Sequence, residues 1–313
     1  MASGGQIARL AIDGLAAGAV YALIALGYTL VYGVLRLVSL AHGEVFMLGA
    51  FGGLYAARAA LPAGAAGAGP GVLACIGLVA AGTVAGGLAG AVAALGLERA
   101  AYRPLRRRGA PRLAYLVSAV GASMFAVSLA GKEFGRRDVP VPGLFTDQTV
   151  LRVAGAPVSA ETLAVVTAAL GLLLAADRLV AWSRLGRSIR AVAQDAECAV
   201  LLGVSLERVI VATFVLGGVL AGAGGFLYAM TFHASYTMGY VPGIKAFTAA
   251  VLGGLGNVRG ALAGGLLLGL VESFGGYYLL DAGYQDVIAF AVLIAVLLLR
   301  PSGLLGARLG RPA

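Results

Sequence analysis

The sequence predicts an all-α polytopic membrane protein with about 8–9 transmembrane helices and a short amphipathic helix on the cytoplasmic side. Three observations carry this. Of 313 residues, 60% are hydrophobic and 12% are charged, about half the charge of a soluble domain. The apolar residues form successive runs of about twenty, the length at which an α-helix crosses a hydrocarbon core of roughly 30 Å. The 49 glycines fall with alanine into small-xxx-small spacings, such as Gly82, Gly86 and Gly90, or Gly217, Ala221 and Gly225. Such spacings let helix backbones approach closely in lipid. A mean hydropathy of +0.93 excludes disorder.

The expected spans are 7–34, 38–61, 71–97, 112–131, 160–180, 207–231, 241–256, 259–280 and 284–299, within one domain covering 7–306. The first run begins near Ile7 and is too long for a signal-peptide core, so it reads as a retained span. The second carries His42 and Glu44 near its inner end, and the third is the glycine-spaced run. The fourth and fifth are joined by the connector 132–159, mixed in charge and broken by Pro140, Pro142, Gly143 and Pro157. The seventh is short, and either crosses or dips into the membrane as a half-helix.

Arginine sets the orientation. Segment 98–112 holds six arginines, segment 178–208 holds five, and the tail after Leu299 holds three. The positive-inside rule places all three on the cytoplasmic face. Two spans separate the first two basic segments, so both fall on one side, as that rule requires. The connector 132–159 is then external. Full crossing by 241–256 also puts Arg259 and the tail inside, so nine crossings are preferred, with the N-terminus external and the C-terminus cytoplasmic.

Several chemistries are excluded. The formal charge of +9 arises from loop arginines and does not indicate nucleic acid. The two lysines are Lys132, followed by Glu133, and Lys245, followed by Ala246, so no phosphate-binding P-loop exists. Any ATP-derived energy must come from another chain. His42-Gly43-Glu44 lacks the Pro-Cys-x-x-Cys of a zinc deaminase, and no nucleophile elbow occurs. Cys75 and Cys198 are too few and too separated for a metal site or disulfide scaffold. No catalytic residue, metal or cofactor is expected.

Segment 186–203 has the pattern of a helix. Ile189, Val192, Ala196, Ala199 and Val200 recur at helical spacing, while Arg187, Arg190, Gln194, Asp195 and Glu197 take other faces. Gly203 stands where a C-terminal cap belongs, and Ser205 can cap the next span. Such a helix either lies on lipid or docks into a partner groove. Its small apolar face without large aromatics suits docking at least as well.

Glu197-Cys198-Ala199 followed by Gly203 resembles the Glu-Ala-Ala-x-x-x-Gly signature of ATP-binding-cassette importer permeases, with Cys for the central Ala and without the Ile-x-Leu-Pro that follows in some. The wider sequence is similar to LivH-type permeases of branched-chain amino acid importers. The resemblance lies in Gly14–Thr29, Ser39-Leu40-Ala41-His42-Gly43-Glu44, Gly186–Ala191, Gly243–Gly256 and Arg300–Gly306, in the family's order over nearly the whole chain. The family often has Asn where Ser39 stands. The resemblance implies a subunit of the bacterial inner membrane, translocating leucine, isoleucine or valine. It implies a second related permease, two cytoplasmic ATP-binding-cassette ATPases and an external periplasmic amino-acid-binding protein as partners. It also implies that Gly186, Arg187, Arg190, Asp195, Glu197, Ala199 and Gly203 form the ATPase-coupling helix. Related permeases handle urea, short amides and other amino acids.

Charged groups inside spans are costly and invite a reason. Asp13 is either an interfacial acid or a pore residue. His42 and Glu44 line the gate or join helices by hydrogen bonds. Lys245 meets the binding protein or steadies the short seventh helix. Glu272, midway along its span, makes an interhelical bond or touches substrate. Tyr277 and Tyr278 read as an interfacial aromatic belt. An ion-coupled secondary transporter is the rival class. It more often has paired acids at the midplane, and no partner for Glu272 stands out in the sequence.

Overall fold

The structure, a computed structural model, describes residues 4–37, 39–61, 72–141, 149–153, 155–278, 284–300 and 302–305. Among the expected features, Val38, Gly71, residues 279–280, Pro142, Gly143, Pro301, Gly306, Arg308 and Arg311 lie outside the described residues.

Helix α1 (Gly4–Leu35) leads through a turn into α2 (His42–Ala60). Helix α3 (Val72–Leu97) continues through a π-helical turn (Glu98–Tyr102) into the short α4 (Arg103–Arg107), so the first basic segment is a helical extension of its span. Helix α5 (Arg112–Glu133) and α6 (Ala160–Trp182) flank a connector containing an antiparallel hairpin, β1 (Thr149–Val153) and β2 (Ala156–Ser159). This hairpin is the one departure from the all-α expectation among the described residues. Then come α7 (Arg184–Gln194), α8 (Ala196–Leu201), α9 (Leu206–Phe232), α10 (Tyr240–Gly253), α11 (Val258–Tyr278) and α12 (Gln285–Leu299).

Six helices among the described residues are long and apolar enough to cross a membrane: α1, α3 with its extension, α5, α6, α9 and α11. They are buried very unequally. In the most apolar stretch of α9, 72% of residues are buried, and 61% in α1, against 11% in α5. Helices α1 and α9 therefore form the centre, and α5 is peripheral.

Glycine explains how the centre closes. Gly222 of α9 packs backbone to backbone against Gly86 and Gly90 of α3 and Gly49 of α2. On the opposite side, Gly14 and Gly18 of α1 meet Gly269 and Gly265 of α11 in antiparallel order. In lipid the apolar environment gives little hydrophobic drive, so dense contact between backbones supplies the attraction. Around these seams pack Leu23, Phe46, Phe51 and Phe226, all fully buried.

The ends of the helices are tied in two layers. On one side Val139 and Ala234 exchange backbone hydrogen bonds of 2.8 and 3.0 Å, and Arg58 donates to the Pro140 carbonyl at 2.9 Å. On the other, Arg36 reaches the Ala193 carbonyl at 3.5 Å and Arg259 lies 3.7 Å from Asp177. There the segment after α12 also folds back: Leu304 and Leu305 donate to the carbonyls of Leu252 and Gly253 at 2.8 and 3.1 Å.

Candidate functional site

The segment expected as one helix over 186–203 is two helices meeting at Asp195. Ser183 caps α7 by accepting from the Gly186 N–H at 2.9 Å. Gly186 packs directly on the Val180 backbone, where no Cβ fits. Arg190 donates to the Val180 carbonyl and, at 3.2 Å, to that of Ala181, so its guanidinium caps the end of α6. Arg187 reaches the Trp182 carbonyl at 3.4 Å. Both arginines anchor α7 to the preceding helix, an assignment that face patterning does not provide.

Asp195 leaves helical geometry (φ −152°, ψ 109°), which breaks the segment. Its Oδ1 accepts from the N–H groups of Glu197 and Cys198 at 2.9 and 3.0 Å, making it the N-cap of α8. Hydrogen bonding from Cys198 holds this carboxyl below its ordinary value of 3.8, and the neighbouring carboxylate pushes the Cys198 thiol up. Ile189, Val192 and Ala199 pack on Val209. Val200 instead faces outward with Leu201 and Leu202, the last two 87% and 84% exposed. Gly203 ends α8 with φ +85°, where a side chain would be strained, and the Val204 N–H returns to the Ala199 carbonyl at 3.0 Å. Ser205 occupies the N-cap of α9, but its side chain caps nothing. Glu197 is exposed on this outward surface.

A second set of residues lies within the helical bundle. Lys245 of α10 forms a buried ion pair with Glu272 of α11 and lies 2.7 Å from Asp286 in the first turn of α12. The ammonium sits 5.8 Å from the centroid of the Tyr21 ring. The sequence leaves Glu272 without a partner; the structure supplies two neighbours, because chain spacing carries no record of which helices adjoin. The signal that existed was Asp286, an acid opening an otherwise apolar helix.

His42 is 1% exposed, its ring edge-on to Tyr28 at 4.8 Å. Gly27 and Gly217 make room for it: a Cβ on Gly217 would meet the ring at 3.3 Å. Its Nε2 has no hydrogen-bond partner among the described residues. Glu44, 4% exposed, accepts from Ser123 of α5 at 3.0 Å through Oε1, while Oε2 has no partner among the described residues. Glu44 also lines two adjoining cavities of about 330 and 360 Å³. One row away, Tyr102 donates to Ser39 at 2.8 Å. Asp13 is outside this arrangement: it is exposed, 3.7 Å from Arg9. The sequence singles out neither Ser123 nor Tyr28, and nothing in their local spacing marks them.

These elements define a multi-pass helical membrane protein with interior ionisable groups and a helical module projecting from one end. A family model described as "Branched-chain amino acid transport system / permease component" matches residues 10–297, and the chain belongs to that family. It is 39% identical over 298 residues to the high-affinity branched-chain amino acid transport system permease protein LivH of Escherichia coli, covering 94% of each chain. It is 38% identical over 305 residues to the high-affinity branched-chain amino acid transport system permease protein BraD of Pseudomonas aeruginosa, again covering 94% of each. The autoinducer 2 import system permease protein LsrC of Klebsiella pneumoniae is 33% identical over 143 residues, 42% of this chain and 40% of that one. No solved structure gives a significant match.

Proposed function

We propose that this chain is the transmembrane permease subunit of an ATP-binding-cassette importer, carrying leucine, isoleucine and valine inward across the bacterial inner membrane. The observation that carries this is similarity to branched-chain amino acid permeases over 94% of both chains. Energy comes from two separate cytoplasmic ATPases. A second related permease completes the pathway, and a periplasmic binding protein delivers substrate.

The α7–α8 module is the ATPase-coupling element. Gly186, Arg187 and Arg190 fix it to α6, Asp195 and Gly203 shape α8, and Ala199 anchors it to α9. Glu197, Leu201 and Leu202 form the surface offered to the ATPase. Exposed apolar residues beside a charge are what a partner groove accepts.

The chain crosses nine times, with the N-terminus outside. Helix α10 has 14 residues, about 21 Å and too short alone for a core of roughly 30 Å. Its lead-in supplies the rest. Ala234 bridges to Val139 in the external connector, while Arg259, just beyond α10, meets Asp177 near the basic cytoplasmic loop. Along the path His42, Glu44, Lys245 and Glu272 are the interior candidates, and Asp13 stands at the outer rim.

One observation favours an ion-coupled carrier, namely the buried Lys245–Glu272–Asp286 cluster, since interior ionisable groups mark ion pathways. The lysine neutralises one of the two acids, which suits a static clasp better than an exchangeable ion. Reconstitution decides. The chain is expected to co-purify with an ATPase and a second permease, and leucine uptake is expected to require ATP and binding protein. Uptake by this chain alone in proteoliposomes, driven by an ion gradient, excludes the importer reading.

A further inference from the structure

Three glutamates are buried among the described residues: Glu44, Glu98 and Glu272. Two have a cation. Glu98 pairs with Arg106 at 2.8 Å, and Glu272 pairs with Lys245. Glu44 has none among the described residues, and its Oε2, like that of Glu98 and of Glu272, has no hydrogen-bond partner there. A buried carboxylate without a counter-charge is among the costliest groups a protein can keep. In a membrane-spanning bundle the cost persists unless something else fills the role.

The surroundings say what fills it. Glu44 stands where two cavities adjoin. The smaller, about 330 Å³, is otherwise lined by apolar groups alone, among them Leu48, Leu97, Phe125 and Leu129. The larger, about 360 Å³, brings in Tyr28, Ser123 and Phe247. These volumes lie at the lower end of the range for ligand sites. A carboxylate beside an apolar recess matches a molecule with a primary ammonium next to a branched hydrocarbon group. The amino terminus of α10 lies against the same carboxylate, at Gly239, with no side chain capping it.

We propose that Glu44 holds the α-ammonium of the transported amino acid, with the aliphatic side chain lying in the apolar cavity between α2, α3 and α5. The assignment rests on the importer reading above and gives that pathway a substrate contact. Glu44 is the binding carboxylate, Ser123 orients it, and the Leu48–Phe125–Leu129 wall sets the size of the side chain accepted.

The test uses the whole transporter in proteoliposomes with radiolabelled L-leucine. ATP-dependent leucine uptake by the wild-type complex establishes the importer reading; its absence sinks that reading and this site with it. Given wild-type uptake, Glu44→Gln keeps shape and removes charge, and is expected to lower uptake about tenfold or more, the usual worth of a charged hydrogen bond. Isoamylamine, which has the ammonium and the branched chain without a carboxylate, is expected to inhibit the wild type, whereas 4-methylpentanoate is not. Wild-type uptake by E44Q, or equal inhibition by the two compounds, overturns the site while leaving the importer reading intact. Ala126 of α5 also lines the apolar cavity, so Ala126→Leu fills it without touching charge, and covers the case in which E44Q does not assemble. It is expected to shift selectivity from leucine toward valine at least threefold. An unchanged leucine-to-valine ratio in assembled A126L overturns the proposal.

Discussion

Lys245 and Glu272, 27 residues apart on α10 and α11, share a buried ion pair, and Asp286 of α12 lies 2.7 Å from the same ammonium. The arrangement clasps three helices at one point. Removing the lysine leaves Glu272 as an uncompensated buried charge, which costs about 3–5 kcal/mol in buried pairs, whereas removing Glu272 leaves Lys245 with Asp286. Lys245→Met alone is therefore expected to reduce the folded, extractable protein strongly, and Glu272→Gln alone to reduce it less. The double variant removes both charges and is expected to recover much of that loss, because apolar replacement of a whole pair is often neutral. Melting temperatures in detergent and uptake together check this. A double variant as stable as wild type but without transport would move Lys245 and Glu272 from clasp to pathway.

The glycine seams give a contrast within one residue type. Gly222 touches backbone on two other helices, whereas Gly121 of α5 has nothing within 4 Å of where a Cβ would stand. Gly222→Ala is expected to separate α3 from α9 and lower the melting temperature by several degrees. Gly121→Ala is expected to be neutral or to gain about 0.5–1 kcal/mol, since alanine restricts the unfolded chain and favours helix. Loss of stability in G121A with retention in G222A would contradict the packing described. Thermal unfolding of both variants in the same detergent is the measurement.

How far the sequence revealed these features depends on the range of the interaction. Run length and arginine placement exposed the membrane helices, because hydropathy and charge act locally on each segment. Gly203 was legible as a helix end because its positive φ is a single-residue property. The break at Asp195 was less so: a polar residue on a helical face and an N-cap look alike until the backbone dihedral is known. Arg190 falls on the polar face of the helical pattern, yet it caps α6, since a long side chain can turn back along the chain. The Lys245–Glu272 pair and the Glu44–Ser123 contact were hidden because both join residues whose proximity depends on how distant helices pack.

Asp195 gives the pH dependence of the coupling module. Its folded carboxyl titrates below the ordinary value of 3.8, mainly through hydrogen bonding from Cys198. A depressed acid stabilises the folded form fully above its unfolded value and loses that contribution as pH falls through the folded one. The cap is thus intact at neutral pH and fails only in acid below the usual aspartate range. Asp195→Asn keeps an N-capping oxygen and is expected to retain uptake and slow amide exchange at Glu197 and Cys198, while Asp195→Ala loses both. Hydrogen exchange across 195–203 distinguishes them, and unchanged protection in D195A would remove the capping role.

His233 ends α9 at φ 70°, ψ 156°, a backbone region otherwise reserved for glycine. It persists because both neighbours are fixed: its own N–H bonds the Ala229 carbonyl at 2.9 Å, and Ala234 is paired to Val139. The strain, of order 1–3 kcal/mol, lies at the turn that carries the chain from α9 toward α10 and hence toward Gly239 beside Glu44. His233→Gly relieves it without removing any of those backbone hydrogen bonds. The variant is expected to gain about 1 kcal/mol of stability after glycine's own entropy cost is subtracted, and so to melt at a higher temperature. His233→Val, with a branched side chain at positive φ, is expected to lower it. If the rigid lead-in holds Gly239 in place, H233G also loosens the wall of the Glu44 cavity, so its leucine KM is expected to rise while the protein becomes more stable. A stability gain with unchanged KM would show that the lead-in holds its shape without His233.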